Sequence, residues 1–189
     1  SKAYRVRAQL GIRTDTLDTT GQILETKTSL PPQDLVRAAA LKLHGEMELP
    51  VPIYSAAKVD GKKLYEYARE GKEIEPPMKV MNFYDLRIEG QGADWIDVFL
   101  RCTKGSFIRA WGSKLGENLE VGAAMSRLER TESLPYSLEN AVTLEDLESE
   151  GLARGFMTMS ATLAEAKVIR IKGQDQVMMG NGLISHDLR

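Results

Sequence analysis

Scarce residue types set the first limits on this sequence. Its 189 residues include one cysteine, Cys102, and two histidines, His44 and His186. A single cysteine excludes a disulfide framework and fits a reducing compartment. Neither histidine has a cysteine or another histidine at metal-ligand spacing, so we expect no metal site.

Long apolar runs and an excess of one charge are also missing. No segment approaches the roughly 18–20 apolar residues of a membrane span, and the amino-terminal residues hold no signal-type apolar block. With 25 basic and 27 acidic residues the net charge is −2, so any binding to nucleic acid must come from local patches. These limits predict a cytoplasmic globular protein.

Familiar cofactor and nucleophile motifs are absent as well. The sequence has no glycine-rich phosphate loop of Walker or Rossmann type and no Gly-x-Ser-x-Gly elbow. Cys102 lies on an alternating strand pattern, which is more typical of a small buried side chain than of a nucleophile. We therefore expect no cofactor.

The pattern of apolar residues predicts an α+β fold: a mixed, largely antiparallel sheet with flanking helices. Period-two alternation predicts a strand at Tyr4–Leu10 and a hairpin that pairs Met78–Ile88 with Trp95–Cys102. Apolar spacing of the helical kind predicts helices near residues 35–43, 64–69, 108–119 and 143–152.

An arginine at the start of a predicted helix is the most informative feature of the sequence. The strand before it ends at Lys104-Gly105, and Arg109 then falls in the first helical turn, where the helix dipole disfavours a cation. Such a guanidinium usually binds a carboxylate or a phosphate. Phe107 beside it offers a flat apolar face. A core aromatic next to a structural ion pair explains the same residues equally well.

Lysines and tyrosines form a second candidate site. Lys58, Lys62 and Lys63 crowd a glycine-containing loop before a helix that carries Tyr65 and Tyr67. Ammonium groups beside aromatic rings suit an RNA backbone with splayed bases. Composition alone favours a solvated turn followed by an amphipathic helix.

Two acidic residues in a threonine-rich segment form the third candidate. In Thr14–Asp18 the side chains of aspartate and threonine could satisfy the backbone of a turn, which is the favoured interpretation. They could also supply a carboxylate to a site or bind a cation.

Taken together, these segments resemble the bacterial tRNA pseudouridine synthases of the TruB family. The resemblance extends from about Lys2 to Leu144 in family order, and several blocks in register are more specific than any lone motif. The matching blocks are Tyr4-Arg5-Val6, Leu10-Gly11, Arg13–Asp18 with Gly21, Tyr54–Arg69, Cys102–Arg109, Leu115–Glu117, Gly122-Ala123 and Leu128.

The resemblance implies that a uridine in the tRNA T-loop is converted to the pseudouridine of TΨC. The base flips out of its stack, the bond from C1′ to N1 breaks, and the uracil rejoins through C5. The family needs no metal or organic cofactor, and we expect a monomer that binds the T stem-loop of tRNA.

The resemblance also implies roles for individual residues. Tyr4 matches a family tyrosine that stacks on the target base. Phe107 matches the position of a second family tyrosine, whose ring also contacts the base. Arg109 matches the arginine that pairs with the catalytic aspartate, Leu128 lines the uridine pocket, and Asp18 joins the arginine network. The lysines at 58, 62 and 63 are then expected to face RNA.

Two departures from the family pattern change the expected activity. Phe107 lacks the phenol of the usual family tyrosine. The family nucleophile lies in a Gly-x-x-Asp-x-x-Ala-Thr-Gly motif upstream of the Tyr4 block, and no aspartate of this sequence has that context. The 189-residue chain alone is therefore expected to be inactive. Two alternatives stay open: a non-catalytic RNA-binding or assembly protein, and a guide-RNA-dependent synthase of the dyskerin type.

The resemblance finally divides the chain into two parts. Residues 1–155 are expected to form the synthase core without its N-terminal part. Residues 156–189 are expected to be a linker and the beginning of a PUA-like RNA-binding module. In that module Val168–Ile171 is expected to be a strand, and Met178-Met179 with Gly180–Gly182 to open a small β unit.

Overall fold

The computed structural model describes residues 1–163, 166 and 169–184. In this part of the chain ten strands and six helices follow one another. They are β1 (Lys2–Leu10), β2 (Ile12–Thr14), β3 (Ile23–Thr26), α1 (Gln33–Lys42), β4 (Gly45–Pro50), β5 (Lys58–Val59), β6 (Lys62–Lys63), α2 (Leu64–Arg69), β7 (Met78–Gln91), β8 (Trp95–Cys102), α3 (Ile108–Asn118), β9 (Ala123–Ser133), β10 (Tyr136–Ser137), α4 (Leu144–Glu150), α5 (Met159–Thr162) and α6 (Gln174–Gly180).

Six of the strands form one antiparallel sheet. Their order is β10-β9-β1-β8-β7-β4, so β1 lies inside the sheet between β8 and β9. The predicted hairpin is present as β7 and β8. Helices α1 and α3 pack against this sheet. The predicted α+β class with a largely antiparallel sheet is confirmed.

The two faces of β1 have opposite chemistry, as its alternating sequence predicts. On the outer face Arg7 donates two hydrogen bonds of 2.7 Å to the Asp97 carboxylate and lies 3.8 Å from the centroid of the Trp95 ring. The side chains on the inner face are buried: Tyr4, Val6, Ala8 and Leu10.

Helix α3 is held in the core by its tryptophan. The Trp111 side chain is fully buried, and its indole N–H donates to the carbonyl of Leu43, 3.1 Å away, directly after α1. A buried indole needs such a partner. Ile108 and Leu115 are buried on the same helix. The position of the first turn of α3 is therefore fixed by packing.

Strand β4 was not predicted. Gly45 lies just after the helix predicted near residues 35–43, a position typical of a helix stop, but it opens a strand that pairs with β7 and forms one edge of the sheet. Its side chains alternate in the pattern of a strand, with Glu46 and Glu48 exposed and Leu49 buried. Charged residues are typical of edge strands.

The chain divides into two compact units, Ser1–Asn140 and Ala141–Arg189. The first unit ends before the expected core boundary at residue 155, because α4 packs with a 3₁₀ turn, Leu152–Gly155, inside the second unit. Helix α4 begins with a capping box, in which the Thr143 hydroxyl accepts from the Asp146 backbone N–H.

The predicted β unit near the carboxyl end is wrong. No strand is present at 169–171, and Val168 lies outside the described residues. Met178 and Met179 belong to helix α6. Glutamine and methionine are good helix formers, and Gly182, at a φ of +76°, ends the helix. The Leu183 N–H then bonds to the Met178 carbonyl at 2.9 Å, the pattern of a Schellman cap.

Membrane-spanning helices were not expected, and the described residues contain no helix with the length and apolar character to cross a bilayer.

Substitutions at two glycines that lie one turn apart in α3 can measure how closely this helix packs against β9. A Cβ at Gly116 would lie 2.0 Å from the backbone nitrogen of Ala123, so we expect Gly116→Ala to lower the free energy of unfolding by about 1–3 kcal/mol. A Cβ at Gly112 would meet no atom within 4 Å. Gly112→Ala should therefore raise the free energy of unfolding by about 0.5–1 kcal/mol. Urea unfolding measures both, and equal effects would contradict the close approach of α3 to β9.

Candidate functional site

Arg109 lies in the first turn of α3, as predicted. The turn between β8 and α3 requires Gly105, whose φ of +86° favours glycine. The helix begins at Ile108, directly after Phe107, and its first turn contains no acidic residue. The guanidinium therefore needs an anion from another part of the chain.

Oxygen atoms of three residues surround the guanidinium. Its Nη1 donates to the Thr16 carbonyl at 2.8 Å and to Oδ2 of Asp18 at 3.3 Å, and its Nη2 donates to the Tyr54 carbonyl at 2.7 Å. The Arg109 and Asp18 side chains are only 22% and 18% exposed. The structure thus brings the predicted arginine and aspartate together, whereas their roles in a reaction stay predictions.

Asp18 acts as a turn residue and as an ion-pair partner at once. Its Oδ1 accepts from the Thr16 hydroxyl at 2.8 Å, and from the backbone N–H and hydroxyl of Thr20 at 3.2 and 2.6 Å. Burial raises the pKa of the Asp18 carboxyl, but the hydrogen bonds from Thr20 and Thr16, together with the charge of Arg109, outweigh it and lower the pKa. The carboxylate is therefore charged at neutral pH.

Backbone hydrogen bonds attach this turn to β9. The Met125 N–H donates to the Leu17 carbonyl at 3.0 Å, and the Thr19 N–H donates to the Met125 carbonyl at 3.0 Å. Leu17 itself has a φ of +64°, a left-handed conformation that leucine rarely adopts. The arginine network is thus anchored on the strand that also carries Leu128.

Tyr4 and Leu128 lie on the same face of the sheet. Val6 of β1 is directly opposite Leu128 of β9, and Tyr4 is opposite Arg130. Directly opposed residues of antiparallel strands share a face. The Tyr4 side chain is 8% exposed, while Leu128 is 42% exposed. The nearly buried ring of Tyr4 and the half-exposed side chain of Leu128 therefore lie on one face of the sheet.

Phe107 occupies the position before α3. Its backbone N–H points at the sulfur of Met81, 3.4 Å away, and its side chain packs against the buried cluster that contains Tyr4. These contacts favour a core role for part of the ring. Contact with a substrate base stays a prediction for this residue.

The three predicted RNA-binding lysines lie in a separate small hairpin, β5–β6. Lys62 pairs with the carboxylate of Glu70, and the Lys63 ammonium lies 3.2 Å from the Tyr65 hydroxyl, a hydrogen bond that raises the lysine pKa. Lys58 is exposed. Two of the three ammonium groups are thus engaged within the protein.

Tyr54 is a site residue that the sequence analysis did not single out. Its carbonyl binds Arg109, and its hydroxyl donates to Asp15 at 3.3 Å, where the negative charge raises the tyrosine pKa. It borders a cleft of about 920 Å³ whose wall includes Pro52 and Ile74. The sequence pointed to Tyr54 only through its position in the family-like block 54–69. A contact made by a backbone carbonyl does not depend on the side chain, so the residue type does not predict it.

The histidines and the cysteine lie apart from the Arg109 network or outside the described residues. No cluster of three histidine, cysteine, aspartate or glutamate side chains that could hold a metal occurs in the described part of the chain. The Nδ1 of His44 lies 2.9 Å from the Leu41 carbonyl, and His186 lies outside that part. Cys102 is buried, and burial raises the pKa of its thiol, as expected for a core side chain.

The lowered pKa of Asp18 predicts a pH-dependent stability. A carboxyl whose pKa is lower in the folded state stabilises the protein above the unfolded-state value of about 3.9, and this contribution is lost as the pH falls through the folded value. We expect Asp18→Asn to lower the free energy of unfolding by about 1–3 kcal/mol at neutral pH, and by progressively less as the pH falls below the unfolded-state value. Urea unfolding over this pH range measures the difference.

Asp94→Asn is the matched control, because Asp94 is exposed between β7 and β8. It should leave the unfolding free energy unchanged at both pH values. An Asp18 effect of the same size at acidic and neutral pH would contradict a charged, hydrogen-bonded carboxylate.

Comparisons with known proteins identify the family. The family model described as TruB family pseudouridylate synthase (N terminal domain) matches residues 1–108. A Bdellovibrio bacteriovorus protein named tRNA pseudouridine synthase B is 54% identical over 193 residues, which cover 100% of this chain and 63% of that protein. A protein of the same name from Lactobacillus delbrueckii subsp. bulgaricus is 43% identical over 155 residues, covering 77% of this chain and 52% of that protein.

Solved structures share the fold. The crystal structure of a Cbf5-Nop10-Gar1 complex matches with a TM-score of 0.58 at 21% identity, over 82% of this chain and 38% of that chain. An H/ACA RNP bound to a substrate RNA containing 2′-deoxyuridine matches with a TM-score of 0.54 at 17% identity, over 88% of this chain and 37% of that chain. The chain spans between 52% and 63% of the length of the two curated relatives named above. It belongs to the TruB family of pseudouridylate synthases.

Proposed function

We propose that this chain forms the base-binding part of a tRNA pseudouridine synthase whose substrate is the T-loop uridine of the TΨC sequence. Family membership and the names of the curated relatives support this activity. The observation that carries it is the guanidinium of Arg109, fixed by three oxygen partners beside the strand that bears Leu128. The proposed partner is the T stem-loop of tRNA, bound by a monomer in the cytoplasm.

The reaction requires an extruded uridine, because the atoms C1′, N1 and C5 cannot be reached within a stacked loop. Tyr4 offers an aromatic face and Leu128 an aliphatic surface on the same side of the sheet. During isomerisation the C1′–N1 bond breaks and a C1′–C5 bond forms, while the C5 proton leaves and N1 gains a proton. This balance needs no oxidant or reductant, in agreement with the expected lack of a cofactor.

Asp18 orients Arg109 in this proposal and is not the nucleophile. One of its carboxylate oxygens accepts three hydrogen bonds, and the other pairs with the guanidinium. Electron pairs engaged in this way are poorly available for attack on C1′. The resemblance assigns the nucleophile to a Gly-x-x-Asp-x-x-Ala-Thr-Gly motif, which the 189 residues do not contain.

The activity assay therefore compares two proteins. The 189-residue chain in excess over unmodified tRNA should form no pseudouridine, measured by carbodiimide labelling and primer extension. The same chain extended at its amino end by a family segment with the nucleophile motif should form pseudouridine in the T-loop. In the extended protein Arg109→Lys should reduce the rate about 100-fold or more, because lysine cannot reproduce the three-point contact of the guanidinium.

Arg127→Lys is the matched control, since Arg127 is exposed on β9, opposite Arg7 on the outer face of the sheet. Its rate should be unchanged. An extended protein that binds tRNA without forming pseudouridine would support the non-catalytic alternative. Activity that appears only after a guide RNA is added would support the dyskerin-type alternative.

The lysine hairpin is proposed to bind the RNA backbone. Lys58→Gln should weaken the binding of a T stem-loop hairpin several-fold and reduce the slope of log affinity against log salt by about 1. Glu70→Gln should strengthen binding, because it releases Lys62 and Lys72 from their shared carboxylate. Lys42→Gln at the end of α1 is the control. Fluorescence anisotropy at several salt concentrations measures these changes, and equal effects of Lys58→Gln and Lys42→Gln would contradict a local RNA contact.

A further inference from the structure

A one-residue irregularity in β9 decides which of its side chains face Tyr4. Along the β1–β9 pair Ala3 is opposite Glu132, but Tyr4 is opposite Arg130, so Thr131 is an extra residue between them. A shift of one residue moves side chains to the other face of a sheet. The bulge therefore gives Arg130 the face of Tyr4, whereas Glu132 stays on the outer face.

The outer-face position of Glu132 is confirmed by its partner. Its carboxylate binds Arg101 of β8 through two hydrogen bonds of 2.6 and 2.7 Å, and Arg101 is opposite Ala3. In a regular strand Arg130 and Glu132 would share a face. The bulge separates them, so Arg130 is not neutralised by this neighbouring carboxylate.

Arg130 contacts the phenol of Tyr4 directly. Its Nε–H donates to the Tyr4 hydroxyl oxygen at 3.1 Å, and its Cζ lies 5.5 Å from the centroid of the tyrosine ring. The backbone of Tyr4 is paired on both sides, with β8 and β9, and its ring is 8% exposed. Arg130 as a whole is exposed, while its hydrogen bond to the phenol is partly buried.

We propose that Arg130 is a positioning residue for Tyr4, which holds the phenol in one orientation against the flipped pyrimidine. This inference rests on the proposed function. A guanidinium can only donate, so the phenol oxygen must accept from Arg130. This bond fixes the position of the phenol oxygen, and the ring keeps a fixed face for stacking.

The bulge itself has an energetic cost. The hydroxyl oxygen of Thr131 is buried without a hydrogen-bond partner among the described residues. An unpaired buried hydroxyl is unfavourable. Bulges next to functional sites serve to redirect side chains, and here the redirected side chain is the one that contacts Tyr4.

Affinities for two RNAs distinguish a role of Arg130 in positioning Tyr4 from a general attraction between Arg130 and phosphate. One is a T stem-loop hairpin with uridine at the target position, and the other is the same hairpin with an abasic site there. Arg130→Gln should weaken binding of the uridine hairpin about five- to tenfold and leave the abasic hairpin unchanged. Tyr4→Phe should do the same. The double variant should be no weaker than Tyr4→Phe alone, because the two residues act as one unit.

Arg127→Gln, the same change on the outer face of β9, is the control and should alter neither affinity. An equal loss on both hairpins, with a smaller salt dependence, would show that Arg130 binds phosphate and would overturn the proposal. Additive losses in the double variant would overturn it as well.

A measurement without RNA keeps this inference distinct from the proposed function. In the NMR spectrum of the RNA-free protein, Arg130→Gln should shift the ring resonances of Tyr4, and Arg127→Gln should not. If the unsubstituted chain binds neither hairpin, the proposed function fails. The Tyr4 resonances then still show whether Arg130 contacts the Tyr4 ring. Unchanged resonances in Arg130→Gln would overturn the positioning role.

Discussion

The structure around the site depends on one guanidinium. Arg109 joins three parts of the chain: the first turn of α3, the carbonyl of Thr16 in the turn that contains Asp18, and the carbonyl of Tyr54 before the β5–β6 hairpin. Backbone carbonyls and a carboxylate are satisfied by a planar cation with several donors, which lysine cannot replace. Trp111 in turn fixes the helix that presents this cation.

Local patterns in the sequence were sufficient for much of the fold. The alternation in β1 and β8 and the helical spacing from Ile108 predict elements that the structure contains, because each has one buried face. Strand β4 shows the same alternation, but it is only six residues long and begins at Gly45, a residue type that also ends helices. Near the carboxyl end a few apolar residues with a glycine turn suggested strands, although glutamine and methionine favour the helix that forms.

The site was predictable only where its chemistry is local or shared with a family. A cation at a helix amino end requires an anion, and this argument led to Arg109 before any partner was known. The resemblance gave the partner of this arginine as the catalytic aspartate of the family and placed Asp18 in the same network, whereas the structure shows the ion pair with Asp18 itself. Arg130 was not predictable, because its contact with Tyr4 depends on a bulge that changes the strand register. The periodicity and spacing of residues do not show how two strands are aligned in a sheet.

The central position of β1 has a consequence for the order of folding. Tyr4 and Arg130 touch across 126 positions of sequence, and Arg109 and Asp18 across 91. Contacts this distant form slowly, because the intervening chain must first be closed into a loop. During synthesis β1 emerges before β8 and β9 and must remain without its β9 neighbour until residues 123–133 have been made. Its apolar inner face is then open to wrong partners, so β1 depends on protection while the chain is still growing.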